Sequence, residues 1–153
     1  MRDQPAALQS TTGETMALEG VDAHGHVRGL LFELAVEQRY RNPHGTNVEA
    51  VYTFPLPVEA VLLDLEITLG ERRLVATVVE KKQAERDYEQ AIDKGDTALM
   101  LEHAGDGLCT LNLGNLMAGE SATIRYRYAQ LLRFEHGSVR LAIPTVIAPR
   151  YGN

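Results

Sequence analysis

Two stretches of strict alternation constrain this chain more than anything else in it. Leu30, Phe32, Leu34, Val36 and Tyr40 alternate with Glu33, Glu37 and Arg39, a period of two that fits a strand with one buried face. Val61, Leu63, Leu65, Ile67 and Leu69 form a second apolar series, with Leu62, Asp64, Glu66 and Thr68 on the opposite face. Gly70-Glu71 then turns the chain, so Leu74 to Val79 is expected to pair back. Between the two alternations, Asn42-Pro43-His44-Gly45 reads as a turn and Val48 to Phe54 as the returning strand of a hairpin. Phe54-Pro55-Leu56-Pro57 lacks the amide hydrogens a central strand needs, so a corner or an edge is expected there.

The period changes to 3.6 once, where Ala84, Tyr88, Ala91 and Ile92 make an apolar stripe within Lys81 to Lys94. Lys94 suits the negative end of a helix dipole, and Gly95 suits the left-handed residue after it. Tyr88, at the centre of the stripe, is expected to anchor this helix on a sheet. Short strand candidates follow at Ala98 to Glu102, Leu108 to Leu113, Ser121 to Phe134 and Ser138 to Ile143, separated by glycine turns. One helix is too few for the crossovers of a parallel sheet. The expected fold is therefore mainly β, an antiparallel β-sandwich with one amphipathic α-helix at about 81–94.

A chain of 153 residues matches one domain able to bury a core without staples. Residues 1–13 are expected to be a disordered or artificial leader. Residues 14–153 are expected to be a single domain, excised from a longer protein. The formal net charge of -6 repels polyanions, which argues against nucleic acid. Cys109 is the single cysteine, which excludes an internal disulfide framework and multi-cysteine metal sites. Neither a signal-peptide core nor an apolar run of membrane-spanning length is present, so no membrane insertion by this domain is expected. With one cysteine and no export signal, the balance leans to the cytoplasm.

Each candidate for chemistry fails on spacing or context. His24 and His26 share a strand face and await a third metal ligand, but Gly25 between them fits exposed histidines better. Leu108, Thr110 and Leu111 around Cys109 describe an inert strand thiol rather than an activated nucleophile. Ser121 lacks the glycine frame of a nucleophile elbow. Asp93, Asp96, Glu102 and Asp106 lack the spacing of a calcium loop. Gly105-Asp106-Gly107 opens no helix, so it is no dinucleotide cradle. Arg125-Tyr126-Arg127-Tyr128 resembles a base-stacking platform, but alternation sends Ile124, Tyr126 and Tyr128 to the core and the arginines to solvent. No catalytic residue, cofactor or metal is therefore expected.

Five ordered motifs together resemble the VIT domain, the vault protein and inter-alpha-trypsin inhibitor heavy-chain module. They are Glu49-Ala50-Val51-Tyr52-Thr53-Phe54-Pro55-Leu56-Pro57; Glu80-Lys81-Lys82-Gln83-Ala84 with Tyr88, Ala91 and Gly95; Ala98-Leu99-Met100-Leu101-Glu102; Gly114-Asn115-Leu116 with Gly119; and Pro144 with Pro149-Arg150-Tyr151. The Glu-Lys-Lys-Gln-Ala run is more similar to the intracellular members that carry a von Willebrand factor A domain than to the secreted heavy chains. The resemblance marks Phe54, Pro55, Leu56, Pro57, Ala84, Tyr88, Gly95, Gly114, Asn115, Pro149, Arg150 and Tyr151 as family positions, mostly structural.

It also implies a non-catalytic protein-interaction or scaffold module acting beside a von Willebrand A domain in cis, with a further, unidentified protein partner. The A domain's Asp-x-Ser-x-Ser metal motif does not occur in this sequence; members of the family place the A domain after the VIT module, so the resemblance implies one downstream. The alternative reading is a β-sandwich that binds a carbohydrate or other small ligand on an exposed face. A hydrolase built on the scattered acids and histidines comes third.

Overall fold

The structure, a computed structural model, describes residues 4–76, 101–104, 107–144 and 146–147. Among the described residues thirteen strands follow one another: β1 (Gln4–Pro5), β2 (Ala7–Ser10), β3 (Ala17–Arg28), β4 (Leu31–Arg41), β5 (Val48–Pro55), β6 (Val61–Leu69), β7 (Arg72–Ala76), β8 (Leu101–Ala104), β9 (Leu108–Leu116), β10 (Ser121–Leu131), β11 (Phe134–Glu135), β12 (Ser138–Val139) and β13 (Val146–Ile147). A five-stranded sheet runs β3-β4-β10-β6-β7 and a four-stranded sheet runs β2-β5-β9-β8. Two short pairs, β1 with β13 and β11 with β12, lie outside them. All these pairings are antiparallel. The expected helix at 81–94 lies outside the described residues.

The inner faces of the two sheets share one core. Phe32, Leu34, Val36 and Tyr40 of β4 and Ile124, Tyr126 and Tyr128 of β10 face Tyr52 and Phe54 of β5 and Leu111 of β9, all buried. The aromatic contacts cross the gap between the sheets. Phe54 lies 4.5 Å from Tyr126, and Tyr40 meets Tyr52 edge-on at 6.2 Å between ring centres, separations at which aromatic pairs add to simple burial. Arg125 and Arg127 point to solvent, as alternation requires.

Three expectations need correction. The phase of the second alternation flips at its start: Val61 and Leu63 are exposed while Leu62 is buried. A β-bulge causes this, because Arg127 pairs with Asp64 and Tyr128 with Leu62, leaving Leu63 without a partner. Leu30, expected inside, sits exposed in the turn before β4. The hairpin expected across Asn42-Pro43-His44-Gly45 does not form either, since β4 and β5 belong to different sheets.

Asn42 explains that crossing. Its side chain is fully buried, and Nδ2 donates to the carbonyls of Thr46 at 2.9 Å and Met117 at 3.0 Å, while Oδ1 accepts the His44 amide. Its backbone amide donates to Glu120 and its carbonyl accepts Gly119. The β4–β5 and β9–β10 connections, both of which change sheet, are thus tied together.

Boundaries also shift. Ser138 to Ile143 yields only the two residues of β12, and the strand from Ser121 stops at Leu131, before the expected Phe134. The leader expected over residues 1–13 does not hold for β2, which pairs with β5 from Ala7↔Thr53 to Ser10↔Ala50 and buries Leu8 completely. Strand β3 was not expected as a continuous strand, because Gly20 and Gly25 break up the short apolar series of Val21, Ala23 and Val27.

Candidate functional site

The described family positions serve the framework. Phe54 stacks on Tyr52 at 5.2 Å and is fully buried. Pro55 closes β5 opposite Leu108, where its missing amide hydrogen costs nothing further along the ladder. The Leu56 amide donates to the Gly107 carbonyl at 2.7 Å, and the Pro57 carbonyl accepts Ala60. Gly114 has φ +73° beside a shift in the β5–β9 register, a conformation that glycine reaches without a Cβ penalty. Asn115 is exposed, and its carbonyl accepts the Arg72 guanidinium. Ala84, Tyr88, Gly95, Pro149, Arg150 and Tyr151 lie outside the described residues.

The candidates for chemistry are not brought together. Cys109 is buried in β9 opposite Phe54, and burial pushes its thiol up from 9.0 to about 11, which keeps it protonated at neutral pH. Ser121 opens β10 at the sheet end. His24 and His26 share the outer face of β3, where His26 lies 3.6 Å from Glu33. Among the described residues no three His, Cys, Asp or Glu side chains form a metal-sized cluster. Asp93, Asp96 and Asp106 lie outside them, and Glu102 falls in β8.

What the fold does assemble is a chain of ion pairs across the solvent face of the large sheet. Asp22 on β3 accepts Arg39 of β4 at 2.7 Å, and Arg39 also holds Glu37 at 2.9 Å. Glu37 accepts Arg125 of β10 at 2.6 Å, Arg125 reaches Glu66 of β6 at 3.5 Å, and Glu66 holds Arg73 of β7 at 2.6 Å. Every strand of the sheet contributes. The two-residue repeat places these side chains on one face, and the register sets Glu37, Arg125 and Glu66 in one row. Arg127 and Asp64, 2.8 Å apart, fill the next row. Hydrogen bonds from Arg125 and Arg39 hold the Glu37 carboxyl below its ordinary value, and the bond from Arg73 does the same for Glu66. These carboxylates stay ionised and occupied. They are poorly suited to taking up or giving a proton near neutral pH.

Around this face lies a shallow depression of about 420 Å³, bordered by Asp22, His24, Glu37, Asp64, Arg125 and Arg127. It is an open dip in a sheet face, and its charged groups are already paired with one another. Two residues that carry polar weight were missed at the sequence level. Gln38 is buried and accepts the Tyr52 hydroxyl at 2.6 Å. Asn42 ties the crossings. The signal for Gln38 was present, as a polar residue at an inward position of a strict alternation. Asn42 looked like an ordinary turn residue.

A family model described as the Vault protein inter-alpha-trypsin domain matches residues 18–128. The chain belongs to the VIT domain family. It is 28% identical over 143 residues to von Willebrand factor A domain-containing protein 5A of Homo sapiens, covering 90% of this chain and 18% of that protein. It is 26% identical over 144 residues to protein mono-ADP-ribosyltransferase PARP4 of Mus musculus, covering 94% of this chain and 7% of the relative. Inter-alpha-trypsin inhibitor heavy chain H6 of Homo sapiens matches at 29% over 122 residues, 79% of this chain and 9% of its own length. This VIT chain spans less than a fifth of each of these relatives.

Proposed function

We infer that this VIT domain is a non-catalytic protein-interaction or scaffold module that acts beside a von Willebrand A-type domain of the same polypeptide. The observation that carries the reading is the solvent face of the five-stranded sheet. Its charged side chains are paired into a strand-to-strand chain, of which Asp22, Glu37 and Arg125 border an open depression. A reaction centre needs unpaired groups converging on an enclosed space. A docking face needs breadth and charges of both signs, and five strands bearing paired acids and bases offer both. The A-type neighbour is supported by relatives such as the human protein named for that domain, of which this chain matches 18%.

The test compares a protein carrying this domain and its downstream A-type domain with the two parts made separately. Docking should raise the melting temperature of at least one part in the joined protein, by about 2–4 °C for each kcal/mol of interface. Strictly independent melting would sink the docking. Calorimetric titration of the chain with zinc, calcium and magnesium tests the non-catalytic half. A stoichiometric ion held by His24 and His26 would overturn it.

A further inference from the structure

Among the described residues, β3 is an edge of the five-stranded sheet and, at 12 residues, the longest strand. The other sheet edges are short: β7 has 5 residues, β2 has 4 and β8 has 4. Among the described residues nothing pairs with the outer side of β3. Natural sheets guard a long free edge with proline, with charged side chains, lysine above all, or with a bulge. Strand β3 contains neither proline nor lysine, and its one register shift, at Glu19, lies near its start. From Gly20 to Arg28 the strand is regular.

We propose that two copies of this chain associate through β3, pairing antiparallel about a two-fold axis with Val21 of one copy opposite Val27 of the other and Asp22 opposite His26. The proposal does not rest on the reading of an A-type neighbour.

Directly opposed residues of a continuous sheet share a face. The outward positions Asp22, His24, His26 and Arg28 must therefore oppose one another, and so must the core-side positions Val21, Ala23, Gly25 and Val27. Setting His24 on the axis satisfies both conditions over the regular part of the strand. Val21 and Val27, 51% and 50% exposed although they lie on the core side of the sheet, then cover each other twice. Ala23 falls opposite Gly25, which leaves room at the centre. Charge agrees as well, because the acidic residues Glu19 and Asp22 precede the basic Arg28 along the strand. An antiparallel partner of identical sequence brings those unlike ends together. An unrelated extended peptide would gain the same backbone bonds but neither match. The pairing joins two five-stranded sheets into one with β7 at each end, a closed, self-complementary assembly.

Sedimentation equilibrium of the chain, taken up to roughly 1 mM, reads the association directly. The expected result is a reversible monomer–dimer equilibrium with no larger species. Val21→Lys and Val27→Glu should each weaken it by about tenfold, the effect of placing a charge against an apolar partner. Combined in one chain they face each other across the axis and should restore it. A chain that stays monomeric throughout overturns the proposal. So does a dimer that ignores both substitutions, and failure of the combined variant to recover overturns the register. Hydrogen exchange on the unaltered chain guards against variants that misfold: β3 amides should gain protection as concentration rises, and no gain refutes the pairing.

Discussion

Strands β3 and β10 flank the same neighbour and share almost nothing else. Each runs alongside β4, β10 from Ser121↔Arg41 to Leu131↔Leu31 and β3 from Ala17↔Arg41 to Arg28↔Leu31. Yet β10 buries Ala122, Ile124, Tyr126 and Tyr128, while β3 buries none of its residues. Hydrogen bonding to a neighbour is therefore not what makes a strand part of the core. The four-stranded sheet packs over β10 through Phe54 and leaves β3 overhanging. The overhang leaves the core-side Val21 and Val27 of β3 half exposed and its edge open.

The largest way to probe the contrast is to remove the contact that covers β10. Phe54→Ala should cost about 4 kcal/mol in urea unfolding, within the range of buried aromatic truncations. Val21→Ala on the overhang should cost less than about 0.5 kcal/mol in dilute protein. Similar costs at the two positions would mean that β3 is covered after all. Second in size is Asn42→Ala. It deprives the Thr46 and Met117 carbonyls and the His44 amide of their partner. A loss of about 2–3 kcal/mol is expected, since buried groups left without partners cost roughly 1–3 kcal/mol. A loss no larger than that of a surface substitution would dismiss Asn42 as the tie between the sheet crossings.

The same contrast decides what could be read from residues alone. Strands β4 and β10 were legible because burial on one face writes a period of two into the sequence, and Tyr126 and Tyr128 fell inside as that period required. Strand β3 was not legible, since Gly20 and Gly25 interrupt the small apolar residues Val21, Ala23 and Val27 that alternate on its core side. The bulge at Leu63 was hidden for a different reason. A single extra residue inverts the phase without altering composition, and Leu62 and Leu63 are equally apolar. The change of sheet after β4 depends on bonds from Asn42 to residues more than seventy positions away, which no local turn pattern reports. The ion-pair chain was half visible: the outward placement of Arg125 and Arg127 was read from alternation, but their partners follow from register. The motifs that resembled the family proved informative as an ordered set, and Phe54, Leu56 and Gly114 sit in the framework of the sheets.

A finer comparison lies within β3 itself. A Cβ at Gly25 would come within 2.9 Å of the Phe32 ring and 3.1 Å of Leu34, and Phe32 is itself packed edge-on against Tyr128 at 6.3 Å. At Gly20 the nearest atom would be the end of the Arg39 side chain, which can swing into solvent. Gly25→Ala should therefore cost about 1–2 kcal/mol, as overpacking does. Gly20→Ala should stay within about 0.5 kcal/mol. Equal costs would show that the underside of β3 makes no distinct contact with the core. Thermal unfolding of the two variants side by side settles the order.

The smallest effect expected belongs to the solvent face, where β3 and β10 are linked by charge rather than by packing. Arg125→Ala removes the partner that does most to lower the Glu37 carboxyl. Both groups are accessible, so water and salt screen them, and the change at neutral pH should stay within about 0.5 kcal/mol. Its signature is the pH dependence. A carboxyl lowered in the folded state contributes stability that is present above its ordinary value of 4.5 and is lost as pH falls through the lowered folded value. Unaltered protein should therefore lose stability on acidification below the ordinary carboxylate range, and the Arg125→Ala variant should lose less over that interval. Adding salt should shrink the difference between the two proteins. If their acid profiles run parallel at low salt, the bridge from Glu37 to Arg125 contributes nothing, and the row joining β4, β10 and β6 is arrangement without energy.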